Sequence, residues 1–596
     1  MASTPSSGAG GALAALARGD NLLAYDIAAA ALDRAPGDAR VAHTVVLALA
    51  RAGATRRAEE QYDHLGLAAA ATASEDEQLR SDLLALGGRL AKDRALDATG
   101  EERRRWARTA CERYASSGAA HCYGDVNAAT MAAVAGDLDR ARHHARRALA
   151  AAVAPDEGAS AAPDAADTTQ RYWRAATVAE ACCVLGDHAR AATALVEADT
   201  VAAGDLGAKA TTRRQLLLLA DAGFGDPSLL DHLHMPGVVA FGGHRLVEGA
   251  ESTADLGARA AAVVTDQRVG VAHGSLACGA DILWAEALLA AGAELHIVLP
   301  FDPEEFVATS VRPGGEGWVR RHREVLEAAA TVTVSSPGRS LGDSSLYGYA
   351  ASLFLGRALI RARAMTVTPR FLVVWDGAPA AGPAGTAADV EKWQAAGHPL
   401  DVVDGSGTLD SPVSPPETHQ PRQVRAAIFG DFAGFSRLTD ADTPGFIDQN
   451  LRTVADVIDA AGDGVLYRNS WGDGIYVVCE SAPAAAELAL ALQAAIDELP
   501  TASSALRLRL GGHLGPMFRL FDPVQRQDTW WGHAVVTAAR IEPRTPAGEV
   551  YVTEAFAALL SLEAGHAFTA EYVGQLATAK AFGTMPMYVL KARPGR

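Results

Sequence analysis

Three patterns of apolar and polar positions succeed one another along the chain. From the start to about residue 225 apolar residues recur at helical spacing in alanine- and arginine-rich runs. A glycine followed five residues later by an alanine returns at Gly19/Ala24, Gly53/Ala58, Gly136/Ala141 and Gly186/Ala191, and the first two copies stand 34 residues apart. In such a unit the glycine ends one helix and the alanine lets the next pack closely, so residues 1–230 are expected to be an all-α helical repeat. Between about 235 and 404 strand-like and helix-like runs alternate. GVVAFGGHR (Gly237 to Arg245) reads as a buried strand, His273 to Phe301 as a loop, a helix and a strand, and RFLVVWDG (Arg370 to Gly377) as another buried strand. That alternation predicts an α/β domain with a doubly wound, Rossmann-like parallel sheet. Residues 405–423 are rich in Pro, Ser and Gly and poor in apolar positions, the composition of a linker, so the C-terminal segment is expected to be a separable unit. From 424 to 592 the pattern is α+β. AAIFGD reads as a strand closed by Asp431, while GVLYRNS and IYVVCE flank a Gly-Asp-Gly turn that carries Asp473.

At 596 residues the chain exceeds what one core serves, in keeping with several domains. Its formal net charge of −18 argues against a nucleic-acid partner, which would call for a basic stripe. The six cysteines lack CxxC spacing and read as small buried apolar residues of a reducing compartment. No basic n-region with an apolar h-region opens the sequence, and no apolar run approaches the ~20 residues of a membrane helix. A cytoplasmic protein without a membrane partner is expected. Serine nucleophile elbow, Walker loop and HExxH are all absent from the sequence.

The candidate chemistry sits at Asp431 and Asp473. Two carboxylates at a strand end and a hairpin turn can hold Mg²⁺ against a nucleoside triphosphate, because hard oxygen ligands suit that ion and phosphates complete its shell. The small residues of FAGFS after Asp431 are expected to start a helix with open backbone amides. Asp431, the Gly-Asp-Gly turn, LRLRLGGHLGP (Leu506 to Pro516) and GHAVVTAARIEP (Gly532 to Pro543), in this order and spacing, resemble the catalytic domain of class III nucleotidyl cyclases. The resemblance implies a ferredoxin-like cyclase fold and a lyase working with two Mg²⁺ or Mn²⁺ ions per active site. Asp431 and Asp473 would be the metal ligands, with the carbonyl of Phe432, and the amides of Gly434, Phe435 and Ser436 would hold the β- and γ-phosphates. One metal lowers the pKa of the ribose 3′-hydroxyl, the alkoxide attacks the α-phosphorus, and pyrophosphate leaves a 3′,5′-cyclic nucleotide. Arg540 falls at the family's transition-state arginine and Lys580 at its phosphate-binding lysine. In the family the helix bearing the arginine reaches across a dimer interface, so a homodimer is implied.

Three positions depart from the family pattern. The transition-state asparagine, four residues before Arg540, is Val536, which cannot donate a hydrogen bond. Thr537 and His533 are the neighbours that could take its place. The lysine and aspartate that read adenine align with Asn469 and Thr529, so the base is left open among ATP, GTP and a pyrimidine triphosphate. Trp530 and Trp531 read as core or interface residues more readily than as a base platform.

The earlier segments carry resemblances of their own. The 34-residue period is similar to tetratricopeptide repeats, and GRLAKDRALD (Gly88 to Asp97) with YGDVNAATMAAVAGD (Tyr123 to Asp137) resembles the TRAF-binding helical region of apoptosis-signalling kinases. Both imply regulation or a protein partner. The middle segment resembles the SLOG family of nucleotide-binding domains, which implies a nucleotide-derived ligand at Gly242, Gly243, Gly274, Ser275 and Gly279; a tight structural turn is the competing reading of those glycines. The whole then reads as a signalling cyclase governed by its first two domains. The alternative is a weak or inactive cyclase-like nucleotide sensor, with the middle domain as the binding or catalytic unit.

Overall fold

The computed structural model describes residues 8–117, 122–154, 165–202, 204–249, 252–405, 421–499 and 506–593. Most of the segment read as a linker, residues 406–420, lies outside them. Among the described residues, twelve helices run from Ala9–Ala17 to Leu206–Asp221. The four glycines of the recurring signature have φ of 73°, 82°, 83° and 84°, a left-handed conformation that glycine adopts without strain. Each closes its helix in the same way: the amide after the glycine donates five residues back, as Asp20 does to Ala15 and Asp137 to Ala132. Asp20, Asp137 and Asp187 then cap the next helix, their carboxylates accepting from the amides of Leu23, Arg140 and Arg190. Ala24, Ala58, Ala141 and Ala191 are completely buried, where a larger side chain would force the helices apart.

The middle domain is a six-stranded sheet: β1 (Gly237–Gly243), β2 (Val269–Gly274), β3 (Glu294–Leu299), β4 (Thr331–Val334), β5 (Arg370–Trp375) and β6 (Leu400–Asp404). Their order is β4-β3-β2-β1-β5-β6 and every pair is parallel. The order reverses between β1 and β5, the place where open parallel sheets leave a crevice at their strand ends.

The C-terminal domain holds β7 (Gln423–Ala433), β8 (Val465–Trp471), β9 (Gly474–Cys479), β10 (Arg507–Asp522), β11 (Gln527–Trp531), β12 (Val550–Thr553), β13 (Phe568–Ala577) and β14 (Thr584–Ala592). The order is β13-β14-β12-β10-β7-β9-β8, with β11 folded back on β10. Only β10 and β12 run parallel, so the sheet is mixed. Strand alternation divides the side chains between two faces. Ile428, Phe432, Val477, Leu508 and Leu510 join one core with the helices Ala482–Asp497 and Glu554–Ala564. Ala427, Tyr476 and Val478 face the helix His533–Ile541 through Ala534 and Ala538.

The last domain, expected to be a separable unit, packs against both of the others. The helix Ser345–Met365 of the middle domain is a shared axle. Its Gly356 lies so close to the helix Glu554–Ala564 that an added Cβ would stand 2.1 Å from the carbonyl oxygen of Ala558. Tyr349 donates to the carbonyl of Leu514 at 3.0 Å, and Arg357 pairs with Glu554. Its far end is held by Arg213 and Arg214 of the helical region, which donate to the carbonyls of Thr366 and Ala364, both at 3.2 Å. A buried ion pair between Arg422 and Asp343 ties the start of β7 to the middle domain. The first helices also reach the last sheet: Tyr572 donates to Asp26 at 2.7 Å, and its ring meets Tyr25 edge-on. These contacts join residues far apart in sequence, which is why the polar linker gave no sign of them. Among the described residues no helix is long and apolar enough to cross a membrane.

Candidate functional site

β7 ends on the face that carries Asp431, and the β8–β9 hairpin turns at Gly472-Asp473, the glycine taking φ 63°. β7 pairs with β9 up to Gly430↔Ile475, so the hairpin turn stands beside the end of β7. Asp431 and Asp473 are thereby brought into hydrogen-bond contact. Burial and the neighbouring Asp431 push the Asp473 carboxyl up to about 6. Burial would raise Asp431 as well, but its hydrogen bonds from Asp473 and Arg509 outweigh that and hold it below the ordinary carboxylate range.

Arg509 was not among the expected site residues. It lies directly opposite Asp431 in the β10–β7 ladder, on the same face, and its guanidinium bonds the Asp431 carboxylate. Its Nε stands 2.6 Å from a carboxylate oxygen of Glu542, the residue after the helix His533–Ile541. Gly511 makes room for that approach, since a Cβ there would stand 2.4 Å from the Glu542 amide nitrogen. Burial raises Glu542 to about 6 against the pull of Arg509. The one trace in the sequence is the alternation LRLRL, which sets Arg507 and Arg509 opposite the leucines that enter the core.

The rest of the expected site divides. Phe432 sits in the ladder with its ring buried. The helix expected to start within FAGFS does not form: Gly434 takes φ 99°, and Phe435–Arg437 make a single 3₁₀ turn. Phe435 instead packs on Phe446, so apolar contact fixes this loop, and regular helix begins only at Thr443. Asn469 donates to Gln525 at 3.3 Å, and Tyr467 and Gln527 also donate to that amide oxygen, at 2.9 and 3.0 Å. Gln525 is thus a hub that sequence reading missed. Thr529 and Trp530 are buried, whereas Trp531 is half exposed. Arg540 and Val536 lie one turn apart on the helix His533–Ile541, Val536 facing solvent and Arg540 without an ion pair among the described residues. Thr537 points inward and donates to the carbonyl of His533. Lys580 is exposed, in a left-handed turn at φ 57°.

Two carboxylates held together, one of them pushed up to about 6, form a donor set that suits a hard divalent cation. Among the described residues no group of three or more His, Cys, Asp or Glu side chains is arranged for a metal ion, so a cation here would draw further oxygens from a substrate. Residues 418–592 match the adenylate and guanylate cyclase catalytic domain. Solved structures similar to the cyclase domain include the guanylate cyclase domain of RhGC from Catenaria anguillulae in complex with GTP, at 20% identity over 29% of this chain and 98% of that one, TM-score 0.25. The adenylyl cyclase CyaB from P. aeruginosa is another, at 18% identity over 30% and 98%, TM-score 0.27. No curated protein matches the chain.

In the middle domain, the glycines expected to cradle a phosphate are crowded by the chain itself. A Cβ on Gly243 would meet Ala280 at 2.7 Å, one on Gly274 the Phe241 ring at 2.5 Å, and one on Gly279 the Leu246 nitrogen at 2.4 Å. Gly242 has ordinary space, Ser275 is partly exposed, and His244, just after β1, reaches Asp376, just after β5, at 3.1 Å. Asp281, beneath them, accepts from the Ala277 amide at 3.0 Å and is raised by burial to about 7.

Proposed function

We propose that the cyclase domain converts a nucleoside triphosphate to a 3′,5′-cyclic nucleotide and pyrophosphate, as a homodimer, in a soluble protein of the cytoplasm. The observation that carries this reading is the contact between Asp431 and Asp473, two carboxylates that the fold holds together at a cost which a divalent cation would relieve. When bound there, Mg²⁺ or Mn²⁺ supplies positive charge to the phosphates and acidity to the attacking hydroxyl. The chain's own part is orientation. The loop of Gly434, Phe435 and Ser436 borders the phosphates, and Asn469 and Thr529, with Gln525 between their strands, face the base. Arg540 neutralises charge that builds at the α-phosphate, and Lys580 binds the phosphates. Dimerisation is supported by large apolar side chains left in water on the two hairpins and the helix beside the site: Trp471, Phe521, Trp531 and Val536. The helical region and the parallel-sheet domain, locked to the cyclase domain through the helix Ser345–Met365, would set its activity in response to a protein partner and to a nucleotide-derived ligand in the β1/β5 crevice.

A second reading is favoured by one observation. Val536 offers no donor and Thr537 is turned inward, so a cyclase-like dimer that holds a nucleotide with little turnover fits the same residues. Incubation of the full chain with ATP, GTP, CTP and UTP in turn, with Mg²⁺ or Mn²⁺, separates the two. A cyclic product seen by mass spectrometry and lost in Asp473→Asn supports the enzyme and names its base; tight nucleotide binding without product supports the sensor.

A further inference from the structure

The end of β7 already has a cation beside it. Arg509 bridges Asp431, on its partner strand, and Glu542, at the foot of the helix that carries Arg540. Its Nη2 engages Asp431 and its Nε approaches Glu542 at 2.6 Å, so one guanidinium is divided between two carboxylates. A metal ion at Asp431 and Asp473 and the guanidinium at Asp431 are like charges competing for the same carboxylate. We propose that Arg509 is a positioning residue that competes with the divalent cation for Asp431, and that Glu542 is the carboxylate that takes up its guanidinium when the cation enters.

This inference rests on the metal-dependent reading of the site and goes beyond it in two ways. When no cation is bound, Arg509 keeps Asp431 ordered and partly neutralised, where it would otherwise face Asp473 uncompensated. Metal entry also strengthens the Arg509–Glu542 contact, which draws on the end of the helix His533–Ile541. If that helix serves the partner's active site, as the dimer reading holds, occupancy of one site is transmitted to the other through a single guanidinium.

The two partners of Arg509 predict opposite effects, which a merely structural bridge does not. Arg509→Met removes the competitor, and Mn²⁺ should bind on the order of tenfold more tightly, the scale of one nearby like charge at partial exposure. Glu542→Gln leaves Asp431 as the guanidinium's one full carboxylate, and Mn²⁺ should bind several-fold more weakly. The assay is Mn²⁺ titration of the full-length protein without nucleotide, by calorimetry and by the metal-induced shift in melting temperature, with Asp431→Asn as control. Circular dichroism checks that each variant is folded, and Arg509→Lys, which keeps the charge, gives a second reading should Arg509→Met fail to fold: its affinity should stay near wild type. Tighter binding in Arg509→Met with weaker binding in Glu542→Gln supports the competition. Weaker or unchanged binding in Arg509→Met, or an Arg509→Lys that binds as tightly as a charge-free variant should, overturns it while leaving the metal site standing. Wild-type protein with no Asp431-dependent Mn²⁺ binding overturns the metal site itself, and the competition with it.

Discussion

Replacing Asp343 by alanine should loosen the joint between the middle and cyclase domains. Arg422 Nε lies 2.7 Å and Nη2 2.6 Å from the two oxygens of Asp343, a bidentate pair with side chains only 7% and 1% exposed. Removing one partner of such a pair strands a buried charge, at a cost of about 3–5 kcal/mol. Arg422 would retain the carbonyl of Arg339 at 2.8 Å and the Phe518 ring at 5.5 Å, which places the expected loss near the lower figure, about 3 kcal/mol. Because a chain of several domains does not unfold in one step, the suitable assay is local: amide exchange of the peptide that begins β7, whose first contact is the Arg422 amide on Asp343. A loss of about 3 kcal/mol speeds that exchange roughly a hundredfold. The double variant Asp343→Leu/Arg422→Met, which leaves no stranded charge, should recover most of the protection. Unchanged exchange in Asp343→Ala, or a double variant as labile as the single one, would show that this ion pair does not hold the joint. The pair also has a pH signature. Burial opposes the charge of Asp343, but Arg422 outweighs it and holds the carboxyl below its ordinary value, so the stabilisation is present above the unfolded-state value and is lost as pH falls below it.

The site itself gives further expectations. Val536→Asn restores a donor one turn before Arg540 and should raise kcat on the order of a hundredfold with little change in KM; steady-state kinetics check it, and an unchanged kcat in folded protein would remove Val536 as the explanation of a slow enzyme. Since Asp473 is raised to about 6, the folded protein binds a proton there that the unfolded chain would release earlier, so this group's contribution to stability falls as pH rises through the window up to about 6. A metal must displace that proton. Mn²⁺ affinity should therefore weaken as pH drops below about 6 and level off above it, and a flat profile from about 5 to 7.5 by calorimetry would contradict the assignment.

The features legible in the sequence are those that obey local rules. The strand that bears Asp431 and the hairpin carrying Asp473 could be read because an apolar run marks a strand and Gly-Asp-Gly marks a tight turn, although the strand runs on to Ala433 instead of closing at Asp431. The glycine corners of the helical region were equally local, each needing only a left-handed glycine and a cap for the next helix. Arg509 was not legible as a site residue. Its place opposite Asp431 depends on the register of two strands 78 residues apart, which the sheet as a whole decides. The FAGFS segment went the other way: its residues permit a helix, but the packing of Phe435 on Phe446 and the positive φ of Gly434 win. Glycines 243, 274 and 279 look in sequence like a phosphate cradle, yet each is required by a neighbour in the fold, and a glycine pattern does not distinguish these causes.

Cyclisation at Asp431 and Asp473 is tested most directly by following one nucleoside triphosphate by phosphorus NMR in the presence of full-length protein and Mg²⁺, with Asp431→Asn beside it. With wild type, a cyclic phosphodiester and pyrophosphate should appear one for one, and with the variant neither. Release of inorganic phosphate with a nucleoside diphosphate, or a cyclic product that survives in Asp431→Asn, would contradict it.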